Sequence, residues 1–232
     1  MRVLTMVSPK GGAGKTTMAM AFAGEIAHRG QNVCFVDADP NKPLSLWAAQ
    51  GNKPENIHVI TDEDKDGDTI YDSIDAAKER ADWVIIDTEG SPNVRVTRTI
   101  TEAGLCVIPI RASYLDSAQA ARAVKLIKDA SRQNRRKIPF VIAFTQVKAA
   151  IVTKTYKDIG QQIREQVLPV LPVELFEREP LVKMFAFGTT LYGLADSEVG
   201  GLPKALENAS ALTDALIEAF TEGAKTLEAT AA

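Results

Sequence analysis

With 232 residues, 45% of them hydrophobic and 25% charged, the chain is long enough for one sizeable α/β core and short for two independent domains. A formal net charge of −3 argues against a uniformly basic nucleic-acid binder, and no apolar run reaches the roughly 18 residues a bilayer span needs. The chain opens on a strand-like segment at residues 3–7 without the regions of a secretion signal, so a cytoplasmic protein is expected.

Apolar runs at 3–7, 33–36, 57–60, 83–86, 105–110, 140–144 and 170–173 alternate with amphipathic stretches at 15–29, 69–80, 94–103, 117–132 and 154–167. Several runs are nearly continuous Val, Ile and Leu, as expected of parallel strands buried on both faces. A last helix is expected over 203–220, with Pro203 in its first turn. Repeated β-α units imply an α/β fold: a mostly parallel twisted sheet, right-handed crossovers and helices on both faces. We expect a single domain over residues 1–222 and a frayed, small and polar tail over 223–232. Cys34 and Cys106 fall inside apolar runs and read as buried free thiols.

The strongest motif is Lys10-Gly11-Gly12-Ala13-Gly14-Lys15-Thr16-Thr17, between the first strand and the first helix. Glycines let the backbone turn tightly and aim its N–H groups inward, and the helix N-terminus favours an anion. Lys15 has the reach for β- and γ-phosphates, and the Thr16 hydroxyl is suited to ligate Mg²⁺. The G-x-x-x-x-G-K-[ST] pattern would begin at Pro9, which is not glycine; the sequence instead matches K-G-G-x-G-K-[ST]-T, with an extra lysine at Lys10.

Two further acidic signals fall at strand ends. Asp37 and Asp39, spaced i, i+2 in Asp37-Ala38-Asp39-Pro40, point the same way from the second strand. Asp87 follows four apolar residues in Trp83-Val84-Ile85-Ile86, a Walker B pattern, and is expected to hold Mg²⁺ through water. Gly90 suits a switch loop that approaches the γ-phosphate, and Glu89 reads as a solvated loop residue.

Lys10 resembles the signature lysine of the deviant Walker A ATPases, the group that includes ParA and MinD. The resemblance implies a P-loop NTPase using ATP and Mg²⁺, in which Lys10 works in trans across a homodimer. It implies that Asp39 positions the attacking water and that Asp37 supports the Mg²⁺ shell. The stretch Pro109 to Asp116 resembles one in small ParA proteins, where the aspartate lies near the dimer interface; Asp116 as a helix N-cap is the other reading. Thr145 and Gln146 occupy the place where related proteins contact adenine.

Within that group, the cysteines lie inside strands, which does not match the nitrogenase iron protein. The last helix is acidic on its polar face, unlike MinD's membrane helix, so no membrane partner is expected. A small ParA, plasmid-partition-like or VirC1-like, remains. It implies an ATPase that dimerises on ATP, binds DNA non-specifically near the nucleoid, and is stimulated by a centromere- or cargo-binding adaptor in plasmid or chromosome partition or cargo positioning. The alternatives are an accessory ATPase of a DNA-transfer relaxosome, a small-molecule synthetase on the same fold, and a module that holds nucleotide without hydrolysis. Residues 121–164 carry eleven basic side chains against Asp129 and Asp158, a charge of +9 that leaves −12 for the remainder. This asymmetry fits either a polyanion surface or solvated helix faces. Lys148, Lys154, Lys157 and Lys183 are the candidate DNA contacts.

Overall fold

The computed structural model describes residues 2–64, 67–111, 114–148 and 168–231. Its strands are β1 (Arg2–Met6), β2 (Val33–Ala38), β3 (Ile57–Thr61), β4 (Trp83–Thr88), β5 (Leu105–Ile110), β6 (Phe140–Val147) and β7 (Leu175–Phe176). They form one seven-stranded sheet in the order β3-β2-β4-β1-β5-β6-β7, parallel at every pairing. β2, β4 and β5 are buried at every position, which explains why they read as continuous apolar runs rather than alternating ones.

The helices are α1 (Lys15–His28), α2 (Pro43–Ala48), α3 (Ile70–Lys78), α4 (Val94–Glu102), α5 (Tyr114–Gln133), α6 (Glu179–Ala186) and α7 (Leu202–Ala231). One face of the sheet carries α1, α2, α6 and α7, whose Phe22, Trp47, Met184 and Leu212 share one core. Trp83 lies edge-on between Phe22, at 5.0 Å, and Phe220, at 5.3 Å, binding α1 and α7 to β4. The other face is covered by α4 and α5, over Ile108 and Ile142, and by α3, over Val36 and Val84.

From β1 the chain passes over β4 to reach β2 and β3, returns to β4, and crosses β1 to β5. The crevice at the carboxyl ends of β1, β2 and β4 is thus the switch point where such sheets bind ligands. The described strands and helices follow the expected series closely. The seventh run differs. Only Val170 of residues 170–173 pairs, through a single bridge to Ile142, and the strand itself is Leu175–Phe176. Pro169 precedes that run and Pro172 lies inside it, and neither has an N–H to donate to a ladder.

The helix expected over 154–167 lies outside the described residues. α2 and α6 were not expected; each is short and carries proline in its first turn. α7 does not stop at residue 220 but continues to Ala231, through the boundary placed at 222/223. Gly223 lets that helix pass Pro139 closely, since a β-carbon there would lie 2.8 Å from the proline Cβ. Cys34 and Cys106 are free and buried, and desolvation pushes both thiols up, Cys34 to about 11.

Candidate functional site

The loop between β1 and α1 bends through two left-handed glycines, Gly12 at φ 73° and Gly14 at φ 81°. Gly14 serves as the N-cap of α1 and accepts from the Met18 N–H at 2.9 Å. It has no room for a side chain: a β-carbon would lie 2.8 Å from the Thr145 hydroxyl. Gly90, in the loop after β4, is tighter still, with a β-carbon 2.4 Å from the Gly11 nitrogen and 2.7 Å from the Lys10 carbonyl carbon. The loop after β4 therefore rests directly on the backbone of the phosphate loop.

Lys10 is exposed, while Ser8 Oγ meets its backbone N–H and carbonyl at 3.4 and 3.3 Å. Lys15 points inward and is 6% exposed. Thr16 donates its hydroxyl to Asp87 Oδ2 at 2.6 Å. Asp37 and Asp87 are neighbours in the β2–β4 register, both fully buried. Asp37 Oδ2 accepts from the Ser45 N–H and hydroxyl, each at 2.8 Å, while Oδ1 of Asp37 and Oδ1 of Asp87 have no hydrogen-bond partner. Burial pushes the Asp87 carboxyl up to about 7; the Thr16 hydroxyl and Lys15 pull it down, and Asp37 and Asp39 add to the rise. Burial likewise raises Asp37, against the Ser45 hydrogen bonds.

Asp39 lies at the edge of this cluster. Its Oδ1 accepts from the Asn41 N–H at 2.8 Å and side-chain amide at 2.9 Å, closing an Asx turn. Asp116 falls in the first turn of α5, and its side chain is outside the described residues. Lys154 and Lys157 are outside them too. Lys148 is exposed at the end of β6. Lys183, on α6, lies 4.0 Å from Glu179 and 5.8 Å from the centre of the Phe187 ring.

Thr145 and Gln146 do meet the phosphate loop. With Thr17, Phe176, Arg178 and Val182 they line a cavity of about 310 Å³ beside Gly14. Gln146 adopts φ 55°, at a register shift between Thr145 and Val147 in the β6–β7 pairing. Thr145 Oγ1 and Arg178 Nε are buried without a hydrogen-bond partner. The slot is largely apolar, with two unpaired polar atoms, and it opens beside the Gly12–Gly14 turn.

Two residues escaped the sequence reading and a third was misread. Arg111, just past β5, donates from Nη2 to the Gly12 carbonyl. Arg95 is 3% exposed and joins two loops: Nη2 lies 3.3 Å from Glu89, and Nη1 donates to the Asp64 carbonyl at 3.0 Å and lies 3.8 Å from Asp62 Oδ1. Glu89 is accordingly not a solvated loop residue. Against the desolvation that would raise it, Ser91, Asn93 and Arg95 hold its carboxyl below the usual range. No local signal marks Arg95, which sits among alternating polar and apolar residues of a short helix.

Beside this geometry, residues 1–220 match the family model described as VirC1 protein. The chain is 35% identical over 222 residues to a ParA protein of Rhizobium radiobacter, covering 96% of this chain and 99% of the relative. It is 28% identical over 189 residues to the virC1 protein of the same organism, covering 79% and 80%. A complex of Cyanothece McdA with ATP has a TM-score of 0.71 at 20% identity, covering 93% of this chain and 96% of that one, and so shares the fold. A match along nearly the whole length at this identity means that the chain belongs to the VirC1/ParA family of ParA-type ATPases.

Proposed function

We propose that the protein is a nucleotide-controlled switch: it binds ATP at residues 10–17, pairs with a second copy, hydrolyses ATP slowly, and releases its partner. The observation that carries this reading is the contact between Gly90 and the Gly11 nitrogen. A loop that follows the buried Asp87 at the end of β4 and lies on the phosphate loop would respond to whether a terminal phosphate is present.

The residues fit a nucleoside triphosphate with a divalent cation. Two buried aspartate oxygens lack partners, and the Thr16 hydroxyl spends its proton on Asp87, which leaves its lone pairs for a cation. Among the described residues no cluster of three His, Cys, Asp or Glu side chains forms a metal cage. That suits Mg²⁺, which is held by one or two protein oxygens together with water and phosphate. Mg²⁺ would be held by Thr16 and, through water, by Asp87, with Asp37 supporting Asp87; it supplies charge neutralisation to the phosphates. Lys15 and the N–H groups of Gly11, Gly12, Ala13, Gly14, Thr16 and Thr17 bind the phosphates. The adenine fits the slot at Thr145 and Gln146.

In hydrolysis, water attacks the γ-phosphorus as the bond to the β-bridging oxygen breaks, giving ADP and phosphate. Asp39 orients that water once its Asx turn opens. Lys10 of the second copy offsets charge on the leaving oxygen, and Gly90 and Asp116 follow the dimer state. The dimer doubles the surface offered to DNA and so raises affinity through multivalency. A centromere- or cargo-binding adaptor stimulates turnover, in partition or cargo positioning, in the cytoplasm and at the nucleoid. No helix among the described residues is long and apolar enough to cross a membrane. A second reading, favoured by the family match over residues 1–220, keeps the ATPase and changes the cargo to a DNA-transfer relaxosome.

The test is duplex-DNA binding with ATP, ADP or no nucleotide at two salt concentrations, with sedimentation for oligomeric state. Binding and dimer formation with ATP alone, weakened by salt, are expected. Lys15→Ala should lose nucleotide, and Lys10→Ala should keep nucleotide but lose the dimer. ATP turnover that follows a carboxylate metabolite rather than DNA and adaptor would replace this reading with a synthetase.

A further inference from the structure

The described part of the basic segment recognised in the sequence, residues 121–148, carries an organised surface on α5. α5 buries Ala120, Ala123, Val124, Ile127 and Ala130 against the sheet. Its opposite side exposes Arg122, Lys125, Lys128 and Arg132, and the turn that follows exposes Arg135 and Lys137. Spacings of three, three and four residues keep the first four on the outward side, over about 15 Å of helix. Asp129 is the one acid among them, 3.8 Å from Arg132, and both side chains are well exposed. Arg132 is the one member of the six with an ion pair among the described residues. On the other side of the sheet, α7 exposes Glu207, Asp214, Glu218 and Glu222 against Lys204 and Lys225, a surplus of acids. The excess of positive charge on α5 favours a polyanion there over α7.

We propose that this α5 stripe grips the phosphate backbone of duplex DNA without reading its bases. The proposal rests on the DNA-binding reading above and names its surface, in place of Lys148 and Lys183. Flexible lysines and arginines in a row of this length match the regular phosphates of one strand, and they carry no hydrogen-bonding pattern that would discriminate base edges. The chemistry favours nucleic acid over an anionic membrane. A helix that lies on a bilayer needs Trp, Phe or Leu to bury beside its cations. Among the described residues, the exposed large hydrophobic side chains are Leu46, Tyr71, Val94, Val182 and Phe187, none of them on α5. Lys125, Lys128 and Arg132 are exposed, and the ion pair among them is to Asp129 and not to the phosphate loop, so neutralising them leaves the nucleotide site intact.

The experiment is fluorescence anisotropy of a labelled duplex of arbitrary sequence, titrated with the full chain in ATP and Mg²⁺ over a series of KCl concentrations. The triple variant Lys125→Gln/Lys128→Gln/Arg132→Gln should bind about tenfold or more weakly. Its slope of log affinity against log salt should be shallower by about 0.9 for each phosphate that is no longer neutralised. Nucleotide binding and the thermal melt should match wild type, because the three side chains are exposed. Lys125→Arg/Lys128→Arg/Arg132→Lys should retain affinity, and Lys148→Gln/Lys183→Gln should change it little. Lys125→Glu alone gives a second, smaller perturbation in the same direction. Wild-type binding that the triple variant leaves unchanged would overturn the α5 assignment and leave the DNA-binding ATPase standing. Absence of wild-type DNA binding in every nucleotide state would overturn both. A triple variant that loses adhesion to phosphatidylserine vesicles but not to DNA would assign the stripe to membrane and overturn the proposal.

Discussion

Thr16 donates to Asp87 across 2.6 Å, tying the first turn of α1 to the buried end of β4. The bond holds a carboxyl that desolvation pushes up to about 7, beside two further carboxylates, Asp37 and Asp39. The fold thus keeps an acid in a place where its charge is costly.

The pH dependence follows from that rise. Below the ordinary 3.8 the carboxyl is protonated in both the folded and the unfolded chain. Between 3.8 and about 7 the unfolded chain has lost the proton and the folded one retains it, so unfolding releases a proton and stability falls as pH rises. Above about 7 both forms are ionised and the loss is complete. Asp87→Asn should remove this part of the slope and raise the stability of the nucleotide-free protein at pH 7, while abolishing Mg²⁺-dependent turnover. Urea melts of both proteins from pH 4 to 8 check it; parallel curves would refute the assignment.

Gly90→Ala should cripple the phosphate loop. The new methyl group would lie 2.4 Å from the Gly11 nitrogen, a backbone atom with no rotamer to give way. We expect about 1–3 kcal/mol of destabilisation, the usual cost of overpacking, and at least about a tenfold loss of ATP affinity, since each 1.4 kcal/mol is tenfold. Titration with a fluorescent ATP analogue, paired with a thermal melt, separates the two effects.

Arg95→Met keeps the length of the side chain and removes its charge. It strands Asp62, fully buried beneath Thr69 and Ser73, and frees Glu89 from one of its three donors. Breaking a buried pair from one side costs about 3–5 kcal/mol. Urea denaturation should show a loss of that order, and Asp62→Asn in the same chain should recover part of it. A loss under about 1 kcal/mol would mean that Arg95 is not holding the two loops.

The geometry was legible where a residue's position follows from its neighbours in the chain. Lys15 and Thr16 open a helix after a glycine turn, and Asp87 ends an apolar strand, so their meeting was expected from local pattern. Gly90 was expected near the γ-phosphate, and the structure adds that it rests on the loop's own backbone. Glu89 and Arg95 were misread or unread because a salt link between two loops has no periodicity. The seventh strand was placed five residues early, at 170, because apolar content alone does not reveal which N–H groups are available; Pro172 breaks the ladder before Leu175 restores it.

Composition and motif spacing alone thus determined the layered parallel fold, the phosphate loop and the acids at its strand ends, because alternating apolar runs and glycine turns act over a few residues at a time. Only the tertiary structure decided what lies against what. The sheet order places Asp37 beside Asp87, α5 turns scattered lysines and arginines into one outward row, and Arg95 ends up sealed between loops. Those outcomes depend on packing between residues distant along the chain, whose energy belongs to the whole core and not to any local stretch.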